Sequence, residues 1–140
     1  MSVQSILLPA FAEVGLIFVL LALMVKSRGE ARKAGLAPRE TALNNEAYPP
    51  KARQYAHAYA NQFEMPVLFF VAVVLAIVVR QAGTLFVAIE WVFVAARIAH
   101  AFVHVTSNNL SLRGPLFAVS AACTLVLWLL IASGVLVGTP

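Results

Sequence analysis

Aspartate is absent from this chain; all six acidic residues are Glu. Charge as a whole is scarce, at 11% of residues against about a quarter in soluble domains. With 61% of its 140 residues hydrophobic and a mean hydropathy of +0.87, the chain carries more apolar surface than so small a core could bury. Lipid must therefore be its solvent. Cysteine is as sparse. Cys123 alone forms no internal disulfide, and its place in an apolar run reads as packing. No basic stretch precedes the first apolar run, and Glu13 interrupts that run, so no cleavable signal peptide is read.

What is abundant is apolar sequence, in four runs that predict an all-α, integral membrane four-helix bundle. A single domain over 1–140 is expected, with transmembrane helices at about 6–26, 52–80, 84–107 and 113–137. Backbone groups in lipid must pair within their own segment, which favours helices over open strands. Turn chemistry separates the runs: Gly29, Gly35, Pro38, Pro49 and Pro50, then Gly83, then Ser107 to Asn109. Thr84 and Ser111 are the expected caps of the last two helices. Pro66 is expected to kink the second.

The positive charge is concentrated. Lys26, Arg28, Arg32, Lys33, Arg39, Lys51 and Arg53 fall in or beside one loop, 27–51. Such clustering between two spans is the positive-inside signal rather than a nucleic-acid face. The loop is expected on the cytoplasmic side, with both termini opposite. No sorting signal is read, which points to a bacterial inner membrane.

Two polar trios break the apolar runs. His57, Asn61 and Glu64 share one helix face, and so do Arg97, His100 and His104. In antiparallel register His57 would lie level with His104, Asn61 with His100, and Glu64 with Arg97. Ionisable groups inside a membrane are costly, and they mark interior or cavity-facing functional positions by default. His57 and His104 would sit near the cytoplasmic mouth with Arg113; Glu64 and Arg97 would lie roughly 10 Å deeper. Glu13 and Glu90 are expected in the far half of the bundle, with Arg80 the only basic group nearby.

The stretch Asn61-Gln62-Phe63-Glu64-Met65-Pro66 resembles the Asn-x-x-Glu pattern of the MAPEG family, the membrane-associated proteins in eicosanoid and glutathione metabolism. Arg97 to His104, followed by Arg113-Gly114-Pro115, is similar to that family's third-helix pattern and its later arginine. The resemblance implies a homotrimer with glutathione bound near the cytoplasmic face between subunits. It implies Asn61 and Glu64 on the peptide part of glutathione, with Glu64 suited to the α-ammonium. His100 and His104 would line the pocket, and Arg113 would stabilise the thiolate as the catalytic residue. A hydrophobic small-molecule cosubstrate, an electrophile or a lipid peroxide, would arrive from the bilayer. The chain departs from the family at two places. His57 stands where catalytic relatives carry Arg, and His104 where they carry Tyr. Loop cations such as Arg53, Lys51, Arg28 or Arg39 are candidates to compensate.

Other readings compete. The polar ladder could be structural, an ion pair between Glu64 and Arg97 with interhelical hydrogen bonds, or it could bind a lipid. His57, His100, His104 and Glu64 could hold a metal. A lone Glu13 in the first span is similar to the proton-exchanging glutamate of small multidrug transporters.

Overall fold

The computed structural model describes residues 1–138. Four helices in it are long and apolar enough to cross a membrane. α1 spans Val3–Lys33, α2 Pro50–Ala60, α3 Met65–Val78, α4 Thr84–Val105 and α5 Leu110–Val137. α2 and α3 together make the second span.

α1 is longer than its apolar run. It passes the expected end at residue 26 and carries Lys26, Arg28, Arg32 and Lys33 on helix rather than loop. A specific cap explains the stop. Gly35 takes φ +71°, its N–H bonds to the Arg32 carbonyl at 3.0 Å, and the Leu36 N–H bonds to that of Ala31 at 2.8 Å. This reciprocal pattern needs a left-handed residue just past the helix end, which glycine adopts at no steric cost. Cations in the last turn also suit the helix dipole.

The second span is broken rather than merely kinked. Asn61–Phe63 form a 3-10 turn, Glu64 leaves helical geometry (φ −101°, ψ −102°), and α3 restarts with Pro66 in its first turn. Proline has no N–H to offer, so it suits a helix start and not its interior. The caps expected at Thr84 and Ser111 are not used. Gly83 precedes α4 without a side-chain bond, and the Asn109 side chain caps α5 by accepting from the Ser111 N–H at 2.9 Å.

α4 is the central element and packs on α1, α2 and α5. The core is mostly Ala, Val, Leu, Ile and Phe, centred on Phe69 and Phe93, whose rings stack 4.1 Å apart. Large apolar side chains such as Phe11, Phe18, Phe102 and Leu129 point outward, as they must where lipid is the solvent.

Small residues bring α2 close to α1 and α4. Ala52, Ala56 and Ala58 are buried, as is Ala101 on α4. Gln54 donates to the carbonyls of His104 (2.6 Å) and Thr106 (3.2 Å), and Lys51 to that of Val105 (2.9 Å). These are carbonyls of α4's last turn and just beyond it, where the helix has no further N–H groups to supply.

Truncating a core ring should be costly. Phe69→Ala is expected to destabilise the fold by about 3 kcal/mol, from lost burial and the lost stack. A fall in the thermal midpoint of the protein in detergent would register it, with Phe102→Ala on the outer face changing it far less.

Candidate functional site

The register of the second and third spans differs from the expected one by nearly a helical turn. Asn61, not Glu64, lies against Arg97, and Gln54, not His57, reaches the His104 carbonyl. The cause lies at the ends and at the break. Gln54 and Lys51 satisfy open carbonyls at the C-terminus of α4, and the 3-10 turn presents Asn61 and Gln62 together.

Arg97 is fully buried, and one nitrogen, Nη2, donates to three acceptors: the Asn61 carbonyl (3.2 Å), Asn61 Oδ1 (2.7 Å) and Gln62 Oε1 (2.9 Å). Gln62 in turn donates to the Ala58 carbonyl at 3.0 Å. On the other side Arg97 Nε lies 3.9 Å from Glu13 Oε1, and both side chains are wholly buried. The expected ion pair between Glu64 and Arg97 is therefore replaced. Among the described residues Arg97 pairs with Glu13, and Glu64 instead accepts from Asn61 Nδ2 at 3.1 Å. Glu13 is not a lone acid of the far half. It sits ten residues into α1 and Arg97 thirteen into α4, both counted from the same end of the bundle, so the two lie at similar depth. Glu90 is also fully buried, and among the described residues its carboxyl has no hydrogen-bond partner.

Two adjacent grooves hold most of the remaining candidates. One, of ≈ 320 Å³, is lined by Asn61, Glu64, His100, Leu110, Arg113, Gly114 and Phe117. The other, of ≈ 260 Å³, is lined by Pro50, Arg53, Gln54, His57 and Asn108. A single contact joins them, because Arg113 Nη1 donates to Asn108 Oδ1 at 2.6 Å. Asn108 holds a left-handed φ of +54°, which asparagine tolerates better than most residues.

The six expected site residues thus divide. Asn61, Glu64 and His100 share the first groove with Arg113; His57 joins Arg53 in the second; Arg97 and His104 are buried behind both. His57 is exposed and pairs with Glu46 of the α1–α2 loop, with Nε2 3.3 Å from Oε1. His100 and His104 stay together, ring centroids 5.7 Å apart and edge to face, with His100 also near Phe117. Among the described residues no group of three or more His, Cys, Asp or Glu is placed to hold a metal ion.

Sequence reasoning missed Gln62, Gln54, Asn108 and Glu46. Gln62 is the instructive case. A continuous helix would turn it away from Asn61, and only the Pro66 that follows hinted at a break.

Outside the spans, the hydrogen bond from Arg53 Nη1 (2.6 Å), helped by His57, holds the Glu46 carboxyl below its ordinary value of 4.5. The same loop is tied to α1. Arg28 donates to Asn45 Oδ1 at 2.8 Å and lies over the Tyr48 ring, 5.0 Å from its centroid.

These features define a multi-pass helical membrane protein with a polar ladder that ends in paired grooves at the end of the bundle that carries the α1–α2 loop. The MAPEG family model matches residues 6–133, and the chain belongs to that family. No curated protein and no solved structure matches it.

Two outcomes are expected. Arg97→Met should cost roughly 2–4 kcal/mol, because Glu13 is left buried without its cation and Gln62 without its donor. Glu13→Gln, which keeps the shape and can still accept a bond, should cost less; thermal midpoints of the two variants check the order. The second concerns pH. A depressed folded-state pKa means that the Glu46 contacts help hold the loop at any pH above the unfolded value, and that this help disappears as pH falls through the folded value. A fluorophore on Leu43→Cys, in a Cys123→Ser background, should therefore report a docked loop at neutral pH and release below about pH 4.5. Glu46→Gln should remove that transition.

Proposed function

We propose that this protein binds glutathione in the Asn61–Glu64–Arg113 groove and activates its thiol toward an apolar electrophile or a lipid peroxide. The observation that carries the reading is the first groove itself. It sets an acceptor carboxylate, an oriented amide and a permanent cation around one open space. Glu64 is exposed, so its carboxylate is available to the α-ammonium of the ligand. Arg97 fixes the Asn61 amide through Oδ1, leaving Nδ2 aimed at Glu64 and the groove. Arg113 stands in the first turn of α5, where the helix dipole adds positive potential.

A free thiol is mostly protonated at neutral pH and becomes nucleophilic when a cation stabilises the thiolate. In conjugation the proton leaves the sulfur, a carbon–sulfur bond forms, and the leaving group departs with its electron pair. With a peroxide the sulfur attacks oxygen, the O–O bond breaks, and a second glutathione completes reduction through the disulfide. His100 and Phe117 form the wall on which an apolar cosubstrate, arriving sideways from lipid, would lie. The open side of the groove is suited to closure by a neighbouring subunit, in keeping with a homotrimer. The basic end of α1 and its loop are on the cytoplasmic side of a bacterial inner membrane in this reading, with both termini opposite.

Arg97 and Glu13 belong to a structural reading that stands alongside. Their complete burial between α1 and α4 suits a lock between helices more than contact with a ligand. A cation 3.9 Å from Glu13 also supports this reading over a transporter built on an isolated glutamate in the first span.

Millimolar glutathione should raise the thermal midpoint of the purified protein, since a ligand bound only by the folded state adds to its apparent stability. Asn61→Ala and Glu64→Ala should abolish the rise. Mixing with glutathione should give thiolate absorbance in wild type and much less in Arg113→Ala; equal signals would remove Arg113 from the chemistry.

A further inference from the structure

Two side chains that line the second groove, Arg53 and His57, already hold a carboxylate of the protein's own, that of Glu46. Glu46 divides its two oxygens between the Arg53 guanidinium and the His57 ring, Oε2 at 2.6 Å from Arg53 Nη1 and Oε1 at 3.3 Å from His57 Nε2. One carboxylate shared between a guanidinium and an imidazole is an arrangement that also suits a ligand carboxylate. The bridge is made in water, with the His57 and Glu46 side chains each 56% exposed and that of Arg53 34% exposed. Exposed pairs contribute little net free energy, so a competing anion can displace this one.

The Glu46 segment is a short 3-10 turn, Asn45–Ala47, started by the Asn44 side chain. It is also tethered to the end of α1 through Arg28 and Asn45. Releasing Glu46 would free the turn from α2 and leave it joined to α1. The groove beside the pair is also lined by Asn108, the residue that holds Arg113.

We infer that Glu46 is an internal plug in a carboxylate-binding position formed by Arg53 and His57, and that an incoming carboxylate displaces it. Replacing one carboxylate by another leaves the local charge unchanged, so the exchange costs only the freeing of the loop. Glutathione carries two carboxylates and is the occupant if the preceding functional reading, on which that assignment rests, is right. The anion position itself does not depend on it. Binding there reaches Arg113 through Asn108, which couples loop release to the groove where the thiol is placed.

The test uses the full chain in detergent with Glu46→Gln, and Glu46→Ala as a second variant, titrated separately with glutarate and with glutathione. NMR of the labelled His57 ring follows glutarate, and calorimetry follows glutathione. Glu46→Gln is expected to bind both roughly two- to fivefold more tightly than wild type, the range that loss of an exposed competing pair supports. Adding Arg53→Gln should erase the gain. Glutarate binding that is equal in wild type and both variants, or absent from all three, overturns the plug. A gain for glutarate with no glutathione binding to any form keeps the plug and overturns the glutathione reading. A gain for glutarate with unchanged glutathione binding shows a plugged anion position that glutathione does not use, and overturns the competition.

Discussion

A guanidinium with no access to water organises this bundle. Arg97 is the largest fully buried side chain, and a buried cation survives only if the protein surrounds it with acceptors. α1 supplies the opposite charge in Glu13, 3.9 Å away, and the break in the second span supplies three acceptors in Asn61 and Gln62. Three of the four spans therefore meet at one side chain. An unbroken helix would have kept the Asn61 carbonyl for its own ladder and turned Gln62 elsewhere. The break at Pro66 and the burial of Arg97 thus explain each other.

That centre also sets what stands above it. With Asn61 Oδ1 committed to Arg97, the amide nitrogen is left for Glu64, and Glu64 is left for whatever enters the groove. The wall opposite comes from α4 and α5, where His100, Phe117 and Arg113 face the same space. A deep, dry lock therefore orients a shallow, open site without lining it. In the proposed function, this arrangement lets a polar ligand enter from water and an apolar one from lipid, each from its own side.

A short loop also brings charge to the edge of the second groove. Glu46 precedes Asn61 by fifteen residues (61 − 46), yet it pairs with two side chains that line the groove beside it. Its partners Arg53 and His57 are separated by one helical turn, so both point the same way. His57, at the position where the resemblance places an arginine, shares the Glu46 carboxylate with Arg53.

Composition alone determined that the chain dissolves in lipid as four helices, because no soluble core of this size could hide so many apolar residues. Helical spacing correctly grouped Arg97, His100 and His104 on one face of α4, and Asn61, Glu64, His100 and Arg113 do meet around one groove. The pairing across helices was not legible. Register depends on small-residue packing, on which side chains cap the carbonyls of α4, and on a local break, and none of these has a period that sequence can display. So Glu64 yielded its place at Arg97 to Glu13, and His57 turned to Glu46, since only the folded bundle decides which buried charge lies within reach of which.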